Sequence, residues 1–383
     1  MRLSSGLTSY AIIVLSFLIF LLWRLGSLVP GLSQAEAASR SSSNDLSGLL
    51  TNPADAPYHL IQRLFSIIHP GFFSLRLASF FLAIIIALAF YAYVKNLFGR
   101  VIGLFGALIL ISLPFYAIAA RQATPQIMLF MPAALIYAYA HLSKARKKKT
   151  AWLALVLVAG ISLYTPGMIW WVIGGALASH KKIAAFLASL PSAAAGLGIG
   201  LFCLVITPLI VVCGLHLASL KTVLAIPASM PRPEHFGAEL VRMFGSLIVK
   251  SPGGNNLLLA NLPILNITVL ALVVFGSYAL FTAARGKAIA FGSNILLAVI
   301  LAALNSNVAY LALAVPVLII TATAGLRYLY VEWRGIFPRN PVPKTFALVL
   351  IAAVVLSQLY YTANYSLRAW PRSPSIQQAF VLK

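Results

Sequence analysis

Apolar residues run along this chain in blocks of about twenty, which is the length an α-helix needs to cross the hydrocarbon core of a bilayer. The blocks predict about eleven membrane-spanning helices, at 9–29, 76–94, 101–120, 124–142, 151–164, 166–179, 190–213, 263–283, 288–304, 308–326 and 345–363. The expected fold is therefore an all-α polytopic bundle, read as a single transmembrane domain over residues 1–383. The fifth and sixth blocks are short. The stretch SLYTPGMIWW between them, residues 162–171, reads either as a hairpin turn or as a break in one helix. The first block resembles a signal peptide in position, but it is long and lacks a clear small-residue cleavage site, so it reads as a retained span.

Composition agrees with the pattern. Hydrophobic residues make up 61% of the chain and charged residues 9%, at a mean hydropathy of +0.95. A net charge of +22 would suggest nucleic acid in a water-soluble chain, but here the basic residues punctuate apolar runs, which argues against a nucleic-acid partner. Cys203 and Cys213 lie in one apolar run, too far apart along a helix to bridge, and read as buried apolar side chains.

Basic residues in the short connections set the orientation. Lys95 and Arg100, KARKKK at 144–149, Lys181 with Lys182, Arg285 with Lys287, and Arg327 through Lys344 all fall on one side if the N-terminus is cytoplasmic. Eleven spans then leave the C-terminus external, and the protein is expected as a multi-pass protein of the plasma membrane. Of the 6 acids, Glu36, Asp45, Asp55, Glu234 and Glu239 come out external and only Glu332 cytoplasmic. Chemistry that needs a carboxylate belongs on the external face.

Two external loops are long, 30–75 and 214–262. In PYHLIQRLFSIIHP, polar His59, Gln62, Arg63 and Ser66 recur at helical spacing opposite Leu60, Ile61, Leu64 and Phe65, the pattern of a helix lying in the interface. EHFGAELVRMFGSLIVK in the second loop sets His235, Glu239, Arg242 and Ser246 opposite Phe236, Leu240 and Met243 in the same way. The tract SRSSSND, residues 39–45, reads as a mobile part of the first loop.

No phosphate-binding Walker loop, HExxH, CxxC or nucleophile elbow is present, so ATP-driven pumping and zinc proteolysis lack their parts. No acid lies mid-span, which weakens ion-coupled transport.

The order of several short motifs resembles the GT-C superfamily of membrane glycosyltransferases, nearest to glycosyltransferase family 39, the branch of the protein O-mannosyltransferases and aminoarabinose transferases. The first span is followed by an acid in SQAEAAS, then by PADAPYHLIQRLFSIIHP, then by RLAS at 76–79, LFGR at 97–100 and PF…ARQATP ending at Pro125. The later YLALAVPVLIITATAGL is similar to the family's Pro-containing late span. The likeness covers residues 1–180 well and the remainder by topology.

The resemblance implies transfer of a sugar from a polyprenyl-phosphate carrier to an external acceptor, which could be protein, lipid or cell-envelope glycan. Such chemistry needs a carboxylate to take the acceptor's proton and cations or hydrogen-bond donors for the departing phosphate. Glu36 matches the family's first-loop acid and is the expected base. Asp55 and His59 are the alternatives, with a helix-capping role open for Asp55. Arg121 matches the family's arginine after the third span, where it could meet carrier phosphate or serve as a snorkelling anchor. Arg76, Arg232, His235 and Arg242 are the further candidates for donor or phosphate contact. Gln126 departs from the family, many of whose members have an acid there; glutamine can only hydrogen-bond, which puts activity, acceptor class and any divalent metal ion in question. Besides the carrier-linked sugar and the acceptor, membrane lipids are the expected partners, with KARKKK meeting anionic headgroups. The competing readings are a flippase or transporter of a lipid-linked envelope precursor and a non-catalytic membrane scaffold.

Overall fold

The computed structural model describes residues 5–45, 47–142, 147–227, 229–252, 256–336 and 341–382. It is all-helical among these residues, apart from one isolated antiparallel bridge between Leu32 and Leu382. Six helices among the described residues are long and apolar enough to span a membrane, and Thr8–Phe20, Arg100–Ile111 and Ile267–Ala283 are shorter apolar helices. Each of the eleven expected blocks overlaps a helix, but the helices over the fifth and sixth, 151–164 and 166–179, are not among those span candidates.

Helix α1, Ser5–Phe20, stops well short of the expected 9–29. The reason lies in Arg121: its Nη1 donates to the carbonyl oxygens of Leu21 at 2.7 Å and Phe20 at 3.4 Å, and its Nη2 to that of Trp23 at 2.7 Å. Phe20 is the last residue of α1, and Leu21 and Trp23 follow it, so the guanidinium holds the helix end and the turn after it. The SRSSSND tract is not an irregular segment either. It ends α2, Gln34–Asn44, whose start is fixed by a capping box: the Ser33 hydroxyl accepts from the Glu36 N–H while the Glu36 carboxylate accepts from the Ser33 N–H. Serine is a poor helix former, so tertiary contacts hold this helix.

The amphipathic helix of the first loop is α3, Ala56–Ile68. It buries Tyr58, His59 and Gln62 and leaves Leu60, Leu64, Ile67 and Ile68 exposed, as suits a helix with one face toward lipid. Helix α4, Phe72–Phe98, follows and is the longest regular span before the last helix pair. The third expected span is broken into α5, Arg100–Ile111, and α6, Pro114–Ala119. Proline 114 removes a helical donor, and the Ser112 carbonyl beside the break accepts instead from Gln358 Nε2 at 3.2 Å and from the Thr362 hydroxyl. A 3₁₀ turn at Pro125–Phe130 leads into α7, Pro132–Leu142.

Helices α8, Lys148–Ser162, and α9, Met168–Ala188, are separated by a turn in the SLYTPGMIWW stretch, so the hairpin is what forms. Helix α9 runs past the expected 179 and carries Lys181 and Lys182 on its exposed surface. Then come α10, Ser192–Leu215, α11, Leu217–Leu224, and α12, Pro233–Ile248, the second amphipathic loop helix. Cys203 is exposed on α10, contrary to the expectation of two buried cysteines; Cys213 is buried. Helix α13, Ile267–Ala283, and α14, Arg285–Leu304, precede a second 3₁₀ turn, Val308–Leu313, and α15, Val315–Ile336. Helices α13 and α15 cross backbone to backbone: a Cβ on Gly276 would lie 1.8 Å from the Thr321 carbonyl oxygen, and one on Gly325 2.1 Å from that of Leu272. The chain ends with α16, Pro341–Asn364, a π turn at Tyr365–Ala369, α17, Trp370–Arg372, and α18, Pro374–Ala379.

The two ends of the bundle differ in chemistry. At one end Arg100 donates to the hydroxyls of Ser9 and Thr8, and Arg327 to the carbonyl of Leu97. At the other end lie Glu36, Asp55 and the 3₁₀ turns. Residues 144–146 of the KARKKK run lie outside the described residues, while Lys147, Lys148 and Lys149 begin α8.

Candidate active site

The first loop is organised by a buried ion pair. Arg76, near the start of α4, donates from Nε to Glu36 Oε1 at 2.9 Å and from Nη2 to Glu36 Oε2 at 3.0 Å. The same guanidinium reaches the carbonyls of Leu25 at 3.2 Å and Gly31 at 2.9 Å. Glu36 also accepts from the backbone N–H of Ala123 at 2.8 Å and of Ser33 at 3.2 Å. Each carboxylate oxygen thus takes two donors, and a carboxylate has about four lone-pair positions in all. Glu36 has no exposed surface and Arg76 is 2% exposed. This arrangement ties α2, α4 and the turn after α6 into one unit, and it leaves neither side chain a free face for substrate.

Asp55 is placed differently. It precedes α3 with a left-handed backbone, φ +57°, a conformation that aspartate tolerates better than most residues but that still stores strain. Its N–H donates to the carbonyl of Tyr164 at 2.8 Å, which pins the strained residue against the turn between α8 and α9. Although it occupies the N-cap position, its carboxylate caps nothing. The residue is half-buried, with many protein atoms around the side chain. Burial pushes its carboxyl up to about 8.

Around Asp55 gather His59, already a candidate from the sequence, and polar groups that the sequence did not single out. Thr165 is fully buried, and its hydroxyl has no hydrogen-bond partner. Tyr310, in the second 3₁₀ turn, lies within electrostatic reach of the Asp55 carboxylate. Tyr58 is also within reach; its hydroxyl pairs with that of Ser79 at 2.8 Å, and burial drives its pKa upward. His59 is buried beside Tyr58, its Nδ1 without a partner, and loss of solvent lowers its pKa. Both Thr165 and Tyr310 stood in quoted stretches, the Pro-Gly turn and the Pro-containing late span. Neither was a visible candidate, because hydroxyls of these types are common and only the fold brings them to an acid.

The remaining expected residues divide. Arg121 is 6% exposed, and both its terminal nitrogens are committed to carbonyls at the end of α1. Gln126 is half-buried and its Oε1 accepts from the Thr124 hydroxyl at 3.3 Å. Arg232, His235 and Arg242 are exposed on and just before α12, which packs against the 3₁₀ turn bearing Tyr310. Arg242 pairs with Glu239 at 3.3 Å. No group of three or more His, Cys, Asp or Glu that could hold a metal ion forms among the described residues.

Residues 56–212 match the family model described as dolichyl-phosphate-mannose-protein mannosyltransferase. Over nearly its whole length the chain superposes on the crystal structure of ArnT from Cupriavidus metallidurans bound to undecaprenyl phosphate, with a TM-score of 0.58 at 12% identity, covering 98% of this chain and 77% of that one. The fold is GT-C. The apo structure of the same ArnT gives a TM-score of 0.54 at the same 12% identity and the same coverage. No curated protein sequence matches the chain significantly. Within the GT-C fold, the family match begins at Ala56, one residue after Asp55, and takes in α3 and α4 with Arg76.

Proposed function

We propose that the protein is a membrane glycosyltransferase that moves a sugar from a polyprenyl-phosphate carrier to an external acceptor, with Asp55 as the base. The observation that carries this reading is the Asp55 carboxylate: half-buried in a GT-C bundle, on a left-handed backbone, and without an ion pair among the described residues, where Glu36 is fully bonded. The family match and the undecaprenyl phosphate of the similar ArnT structure support the donor class.

The chemistry follows from the groups present. Asp55 accepts the proton of an acceptor hydroxyl as that oxygen bonds to the anomeric carbon, and the bond from that carbon to the carrier phosphate breaks, releasing polyprenyl phosphate. Burial disfavours the ionised carboxylate, so it is a stronger base than a solvated aspartate. The carrier phosphate is met by Arg232 and His235, which have no carboxylate partner among the described residues and sit on the helix against the Tyr310 turn. Tyr310 and Thr165 offer hydroxyls to the sugar or acceptor.

The face is proposed as external and the N-terminus as cytoplasmic, from the basic short turns gathered at the Ser9 and Arg100 end. The test uses purified protein in nanodiscs with a radiolabelled polyprenyl-phosphate sugar and an envelope lipid extract as acceptor. Asp55→Asn should lower transfer by about 10² to 10⁴ while carrier binding persists. Wild-type transfer by Asp55→Asn would remove Asp55 from the reaction, and failure of the wild-type protein to transfer any such sugar would favour the flippase or scaffold.

A further inference from the structure

At the basic end of the bundle, opposite Asp55, the ends of α4, α13 and α15 and the start of α14 enclose a crevice of about 430 Å³. Its walls are apolar and small: Ala283, Ala284 and Ala324 leave the space that Leu97, Phe98 and Phe291 border. Two cations stand at its edge, Lys287 and Arg327, both exposed. Arg327 is held in place, with Nη1 donating to the Leu97 carbonyl at 3.1 Å and its guanidinium 5.8 Å from the centre of the Phe98 ring. Among the described residues its Nε and Nη2 take no acceptor. Neither cation pairs with a carboxylate among the described residues. The neighbouring charges are mostly of the same sign: Arg285, over the Phe281 ring at 5.2 Å, stands beside the crevice, and the one acid nearby is Glu332, in electrostatic reach of Tyr328.

We propose that this crevice is a binding site for an anionic glycerophospholipid, with the headgroup phosphate between Lys287 and Arg327 and an acyl chain against the alanine-lined walls. Charge and shape choose the occupant together. A zwitterionic lipid would set its own cation against an uncompensated pair of positive groups, and a free phosphate would leave the apolar walls uncovered. The level of the site is also that of headgroups, since it lies where the helices end in basic turns. An arginine fixed by a carbonyl and a ring loses little freedom on binding, so its fork is ready for phosphate oxygens.

Native mass spectrometry of the full chain, released from nanodiscs containing equal amounts of phosphatidylglycerol and phosphatidylcholine with the same acyl chains, tests this. The wild-type protein should retain phosphatidylglycerol over phosphatidylcholine by about tenfold, roughly the effect of one charge-assisted hydrogen bond. Lys287→Ala with Arg327→Ala should abolish the preference, and Lys181→Ala with Lys182→Ala, which removes two exposed cations elsewhere, should leave it intact. Ala283→Leu keeps both cations and fills the crevice; it should lose the bound lipid while melting as the wild type does, which separates loss of the site from loss of the fold. Equal retention of both lipids by the wild type, equal loss in the two double variants, or full displacement by glycerol phosphate without acyl chains would each overturn the proposal.

Discussion

Replacing Glu36 by glutamine separates a structural clasp from a catalytic base, because the two roles predict opposite readouts. Glutamine keeps the shape of glutamate but replaces one oxygen with an amide nitrogen. In either orientation that nitrogen faces two N–H groups, from Arg76 Nε and Ala123 or from Arg76 Nη2 and Ser33. Arg76 is left as a buried cation without its counter-charge, and breaking such a pair costs about 3–5 kcal/mol. Unfolding entropy of roughly 2.1 cal/mol/K per residue, summed over 383 residues, makes this a fall of about 4–6 °C in melting temperature. Thermal unfolding in one fixed detergent, followed by tryptophan fluorescence, measures the shift. Transfer assayed well below the melting point, and divided by the folded fraction, should stay within about tenfold of wild type, whereas loss of a general base costs about 10² to 10⁴. An unchanged melting temperature together with a thousandfold loss of turnover would refute the clasp and return Glu36 to the reaction.

Further outcomes follow from other sites. The raised Asp55 value means that the folded chain holds this proton more tightly than the unfolded chain. Its contribution therefore favours folding at low pH and is lost as pH rises from 3.8 toward about 8. Asp55→Asn should flatten that decline in a pH series of melting curves. Transfer itself should climb with pH through the same upper limb, since the base acts ionised, and a profile flat from pH 6 to about 9 would speak against Asp55. Gly276→Val sets a side chain into the Thr321 carbonyl and should prevent a folded product, as size-exclusion chromatography would report; a normal monomer peak would contradict the close crossing. Cysteines introduced at Asp45 and His235 should react with an impermeant maleimide on intact cells while one at Lys147 should not, and the reverse labelling would invert the orientation.

The spans were legible because hydrophobic length is a one-dimensional property; what interrupts them was less so. Pro114 is visible in the sequence, but the break it makes is tolerable only because Gln358 and Thr362, far along the chain, reach the Ser112 carbonyl. The end of α1 at Phe20 was hidden for the same reason, since an arginine a hundred residues later sets it. At the site, scarcity of acids pointed to Glu36 and Asp55, and the resemblance put Glu36 first. The proposed reverse order rests on the donors around each carboxylate, and those of Glu36 come from Arg76, Ala123 and Ser33, three separate places in the chain. Glu36 was the better match to a family pattern; under the proposed reading it holds the loop together while Asp55 acts, two roles that look alike in a motif.

The bridge between Leu32 and Leu382 carries a consequence for synthesis. The N–H of Leu32 donates to the Leu382 carbonyl at 2.7 Å and the N–H of Leu382 to that of Leu32 at 3.2 Å, directly beside Gly31, whose carbonyl holds Arg76. These two residues lie 350 positions apart, so the edge of the first loop is covered only once the helices between them have been made and inserted. Until then the Leu32 N–H and carbonyl lack these partners, and the neighbouring Gly31 carbonyl that holds Arg76 sits on an uncovered edge.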